Sequence, residues 1–224
     1  MDKDNDHTIH LDKFKFSSPA CVNVTGPSSS GKSEFIFQVI KYRRQMFTTP
    51  PVRVIYCYKV WQQRFQDLLD NDKNKHEILF NEGVYDISKL TDTTSHKLLI
   101  LDDLMHSLDK SVSDIFCVKS HHNNISCFYI NQNLYGKSPF ARDINLNSQY
   151  ILIFKLRRDL TSLRILGGQL FPENPSVFMK VYNECTKQRY SYLLIDIHPN
   201  SHYRLSLRTN ILPDEIESVY TPIN

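Results

Sequence analysis

Short apolar runs rich in β-branched and aromatic residues recur along this chain, separated by longer mixed segments. The short runs read as strands: Cys21–Val24, Arg53–Tyr58, Lys97–Leu101, Ser126–Ile130, Tyr150–Phe154 and Tyr192–Ile197. The segments between them read as helices over Ser33–Phe47, Gln62–Asp70, Val112–Lys119, Leu160–Gln169 and Val177–Glu184. Strands separated by helices predict a mainly parallel sheet with helices on both faces. Runs with no polar alternation suit strands buried on both sides. Tyr203–Arg208 does alternate, and reads as an antiparallel edge strand near the C-terminus. Pro50-Pro51 stops the first helix, because proline cannot continue it and restricts the residue before it. Residues 1–19 read as a polar lead-in with one amphipathic stretch, Leu11–Phe16, and 20–224 as a single domain. Leu69–His76 reads as a polar, exposed loop.

A chain of 224 residues suits one α/β domain with a sizeable core. Its 41% hydrophobic and 23% charged residues are ordinary for a globular protein. A net charge of +3 permits a nucleic-acid partner without demanding one. No run approaches the ~20 apolar residues of a membrane span, and the charged stretch Met1–Asp6 lacks the apolar core of a secretory signal. Cys21, Cys57, Cys117, Cys127 and Cys185 are isolated, with no zinc-ligand spacing, and read as reduced core residues of an intracellular protein. His121-His122 has no matching carboxylate or cysteine and reads as the polar end of a helix.

Gly26-Pro-Ser-Ser-Ser-Gly-Lys-Ser33 fits the phosphate-binding loop of nucleoside triphosphatases, G-x-x-x-x-G-K-[ST]. A strand before it and a helix after it supply the context the motif needs, since loop amides and helix N-terminus must converge on one phosphate. Gly26, Pro27, Ser28, Ser29, Ser30, Gly31, Lys32 and Ser33 define the candidate nucleotide cradle, with the backbone N–H groups of about Ser29 to Ser33 around the β-phosphate. Lys32 is expected to reach the β- and γ-phosphates and the Ser33 hydroxyl to coordinate Mg²⁺. Leu98–Leu101 followed by Asp102 and Asp103 is a buried strand ending in paired carboxylates. In open α/β sheets ligands sit at the carboxyl ends of strands. Asp102 is then a candidate for the Mg²⁺ shell and Asp103 for the base that polarises water; the bland alternative is an Asp-rich turn or helix cap. The strand before Asn131 also ends in amides, and Gln132 is a candidate γ-phosphate sensor or a simple loop amide. Arg142, Arg157, Arg158 and Arg164 cluster late; Arg158, then Arg157 and Arg142, are candidates for an arginine finger, against surface ion pairs or DNA contacts. Leu166-Gly-Gly-Gln169 resembles part of the ABC-transporter signature but follows the acidic pair instead of preceding it, and reads as a helix C-terminus.

In this order the segments resemble viral genome-packaging ATPases of the FtsK–HerA superfamily, in the branch of poxvirus-type viruses, virophages and Polinton or adintovirus elements. The likeness runs from about Val22 to Arg208 and rests on the phosphate loop, Leu98–Met105, Ser120–Ser126, Asn131–Tyr135, Leu146–Tyr150 and Arg157–Asp159. It implies an additional-strand P-loop fold of RecA/FtsK–HerA type, with the strand before Gln132 between the phosphate-loop strand and the Asp102 strand. It also implies an ATP- and Mg²⁺-dependent motor, built as a homo-oligomeric ring with ATP at subunit interfaces. That motor pumps double-stranded DNA, regardless of sequence, into a capsid through a vertex or portal protein, inside a host cell. Many members carry Glu where this chain has Asp103. Two other readings share the phosphate loop: a nucleoside or nucleotide kinase, and a nucleotide-dependent assembly factor with little turnover.

Overall fold

The structure, a computed structural model, describes residues 13–71, 75–104, 110–116, 120–136 and 138–221. Met105, Cys117, the end of the helix expected over Val112–Lys119, the side chain of His121 and the start of Leu11–Phe16 lie outside them.

Nine strands form one sheet: β1 Cys21–Thr25, β2 Arg53–Tyr58, β3 Ile78–Glu82, β4 Lys97–Asp102, β5 Ile125–Asn131, β6 Tyr150–Phe154, β7 Tyr192–Asp196, β8 Leu207–Thr209 and β9 Ser218–Tyr220. Their order is β3-β2-β4-β5-β1-β6-β7-β8-β9. Pairing is parallel from β3 through β6 and antiparallel from β6 to β9. The central strands β1, β4, β5 and β6 are buried at every position. That explains their largely apolar sequences: both faces are covered by other elements.

The helices are α1 Lys32–Lys41, α2 Arg43–Met46, α3 Gln63–Asn71, α4 Lys110–Asp114, α5 Ser120–His122, α6 Pro139–Asn147, α7 Leu160–Leu170 and α8 Pro175–Cys185. Phe35, Ile36, Val39 and Ile40 of α1 pack with Val22, Val24, Val54 and Ile100 on one face of the sheet. Val112 of α4 and Ile144 of α6 pack with Leu99, Leu101 and Cys127 on the other. Burial of each such side chain contributes about 1.5–3 kcal/mol. Helices α7 and α8 cover β6 and β7, and Gly167 is what lets them approach: a Cβ there would stand 2.6 Å from the Phe178 ring.

Several elements differ from expectation. The first helix breaks at Tyr42 into α1 and α2. The polar segment before β4 contains a strand, β3, which the sequence does not announce; only Ile78 in it is buried, and pairing with β2 holds it. Helix α6 was also unannounced, although Ser138 caps it through Phe140 N and Pro139 opens it, a recognisable start. Antiparallel pairing begins at β7, and residues Tyr203–Leu205 form a 3₁₀ turn with the strand following at β8. Phe14 and Phe16 lie in the core, 6% and 0% exposed. Phe16 meets Phe128 and Tyr150 edge-on at 5.2 and 5.1 Å, and its backbone bonds to Met46 O and Thr48 N.

Candidate active site

Strand registers set the site. Thr25 pairs with Asn131, and Asp102 with Ile130, so the carboxyl ends of β1, β5 and β4 stand level at one rim of the sheet. β5 lies between β1 and β4, where the additional strand was expected.

The chain leaves β1 at Gly26, and no larger residue fits: a Cβ would stand 2.7 Å from Ser30 Oγ and 2.8 Å from Phe154 Cβ. Ser29 and Gly31 take positive φ, 59° and 107°, which curls the loop before α1 begins at Lys32. Phe35 N donates to Gly31 O at 2.9 Å, completing the first helical turn. Lys32 Nζ donates to Gly26 O at 2.7 Å and Pro27 O at 2.8 Å, cinching the loop. Burial lowers the Lys32 pKa, while Asp102 and Asp103 act to raise it. Ser30 Oγ is buried without a hydrogen-bond partner among the described residues.

Loop, Asp102, Asp103, Gln132 and Arg64 line a cleft of about 610 Å³. The two carboxylates are held differently. Asp102 closes β4 at 9% exposure, and its Oδ2 accepts a 2.6 Å hydrogen bond from the Tyr56 hydroxyl. Burial pushes its pKa up; the Tyr56 hydrogen bond, Lys32 and Arg64 pull it down, and Asp103 adds to the rise. Tyr56 in turn is pushed well up, first by burial and then by Asp102. Asp103 is exposed on a left-handed turn, φ 54°, a conformation aspartate tolerates.

Gln132 is exposed just past β5. It lines the first cleft and also a second one, of about 750 Å³, shared with Ser28, Ser29 and Ser30. Arg157 and Arg158 line only this second cleft, so they stand beside the loop but not with the acidic pair. Arg142 and Arg164 are exposed on α6 and α7 and line neither cleft. Among the described residues no group of three or more His, Cys, Asp and Glu side chains could hold a metal ion. His122 is exposed, and Cys21, Cys57, Cys127 and Cys185 are free and buried. No helix among them is long and apolar enough to cross a membrane.

Three contributors escaped the sequence reading. Tyr56 carries no motif and is identified only by its contact. Asn131 is buried; its Nδ2 donates to Asn23 Oδ1 at 2.6 Å and its Oδ1 accepts from Thr25 Oγ1 at 2.8 Å, while Gly26 N reaches its carbonyl. The amide pair at the end of β5 was a signal for it. Tyr190, from the turn before β7, lines both clefts.

No family model matches the chain, and no curated protein matches it in sequence. Solved structures do. The genome packaging NTPase B204 from Sulfolobus turreted icosahedral virus 2, in complex with AMPPCP, is 14% identical over 91% of this chain and 98% of its own, with a TM-score of 0.50. The KaiC-like protein PH0186 from Pyrococcus horikoshii OT3 is 12% identical over 92% of this chain and 91% of its own, with a TM-score of 0.46. The fold is that of a P-loop NTPase with an additional strand beside the phosphate-loop strand, and it is similar to that of the packaging NTPase B204.

Proposed function

We propose that this chain is an ATPase that drives double-stranded DNA into a viral or virus-like capsid. The observation that carries the reading is the convergence, in one cleft, of the cinched loop with Lys32 and the paired carboxylates of β4. The loop amides and Lys32 would bind the β- and γ-phosphates, where the N-terminus of α1 adds favourable charge. The donor set suits Mg²⁺: Ser33 and Asp102 offer a hydroxyl and a single carboxylate, and this ion takes few protein ligands beside phosphate and water. When bound it would neutralise charge on the phosphates. Asp103, exposed at the turn, would take a proton from attacking water. Gln132 would sense the terminal phosphate and pass its loss to DNA-gripping loops. Arg158, with Arg157 and Arg142 as alternatives, would serve as the finger. Arg157 and Arg158 form no ion pair among the described residues, and Arg158 lies outside the cleft of the acidic pair, which suits a finger that completes a site at a subunit interface.

The ring, the sequence-independent grip on DNA, a capsid vertex or portal partner and work inside the host cell belong to the same proposal, motivated by the resemblance of the motifs. Phosphate release should occur without any acceptor, rise with long duplex DNA, and fall at least about 100-fold in Lys32→Ala. DNA stimulation should fade with added salt, as phosphate contacts dictate. Sizing with an ATP analogue and DNA should give a closed oligomer. Turnover indifferent to DNA, from a protein monomeric in every condition, would refute the motor.

A further inference from the structure

Tyr190 is a bulky residue held where bulky residues are seldom found. Its φ of 66° lies in the left-handed region, which persists for such a side chain only when its surroundings impose it. Backbone strain of this kind concentrates at ligand clamps and active sites. β7 runs antiparallel to β6, with Tyr192 opposite Phe154, so the turn that carries Tyr190 stands at the same rim as the phosphate loop. Its Cβ and Cδ1 lie 3.3 Å from where a Gly31 Cβ would be, so the side chain packs directly against the loop's second glycine. Even so, 60% of the residue is exposed.

Tyr190 is also the one aromatic residue lining the phosphate-loop cleft among the described residues. It lines the second cleft as well, as Ser28, Ser29, Ser30 and Gln132 do. The Arg189 guanidinium lies 5.4 Å from its ring centroid, and Arg189 lines only the second cleft. Arg189 thus stands against the ring, while most of the residue stays exposed. An exposed aromatic face beside a phosphate cradle is what a planar heterocycle stacks on.

We propose that Tyr190 forms the base subsite: its ring stacks on the nucleobase of the triphosphate whose phosphates the loop holds. This rests on the nucleotide-binding reading above and adds how the base is held. Stacking needs only a π face, so adenine and guanine should gain alike from this residue.

Calorimetric titration of the full chain, with Mg²⁺, tests it using ATP, GTP and inorganic tripolyphosphate as probes. Tyr190→Ala should weaken ATP and GTP by about tenfold or more, the order of one stacked base. It should leave tripolyphosphate, which has no base, unchanged. Tyr190→Phe, which keeps the ring, should retain wild-type affinity for all three. Equal ATP affinity in wild type and Tyr190→Ala would overturn the proposal. So would a parallel loss of tripolyphosphate, which would make the ring a prop for Gly31. Wild-type protein that binds none of the probes would instead remove the nucleotide reading, and this subsite with it.

Discussion

Asp102 is buried at the cost of its own ionisation. Burial raises its pKa above the ordinary carboxylate value, and the Tyr56 hydroxyl offsets only part of the rise. A raised folded-state pKa means that the folded protein holds the proton more tightly than the unfolded chain does. That contribution to stability is fully present below the unfolded pKa and is lost as pH rises through the folded one. At neutral pH the charged Asp102 therefore costs stability. Asp102→Asn keeps the shape and an acceptor for Tyr56 but removes the charge. It should stabilise the nucleotide-free protein at pH 7 by on the order of 1 kcal/mol, as relief of functional-site strain typically does, while abolishing turnover. Thermal melts from pH 8 down to pH 4 should show the two proteins converging as wild-type Asp102 takes up its proton. A variant that melts no higher than wild type at pH 7 would contradict this account of the site.

At the level of elements, the tips of β1 and β5 are joined by the Asn23, Thr25 and Asn131 side chains. Asn131→Ala should cost about 1–3 kcal/mol in urea unfolding, because it strands buried polar partners. Gln132→Ala, one residue on but exposed, should change stability by less than about 0.5 kcal/mol and act on turnover alone. Equal destabilisation by both would dissolve that division between a structural and a sensing amide. The strands that sequence reveals are those whose side chains are apolar on both faces, such as Leu98–Leu101. β3 has one buried residue and depends on its register with β2, so no local pattern marks it. The phosphate loop and the acidic pair were legible because their chemistry is contiguous in the chain. Tyr56 and Tyr190 were not, because each is brought to the rim by a strand or turn far from either motif.

Across the whole molecule, Phe14 and Phe16 tie the segment before β1 into the main core beside Phe47, Phe128 and Tyr150. Amphipathic spacing hinted at Leu11–Phe16, but the partners come from three different parts of the chain and only folding brings them together. Phe16→Ala should cost about 3–5 kcal/mol, the penalty for emptying a core aromatic site, read from the denaturation midpoint at unchanged slope. A loss below about 1 kcal/mol would mean that the segment is dispensable. Of the two borders of the sheet, β3 runs for five residues and β9 for only three. So brief a border exposes few unpaired amides and carbonyls, and edge-to-edge growth of one sheet into another has little to build on. Backbone pairing across the β9 border should therefore add little wherever copies of this protein meet.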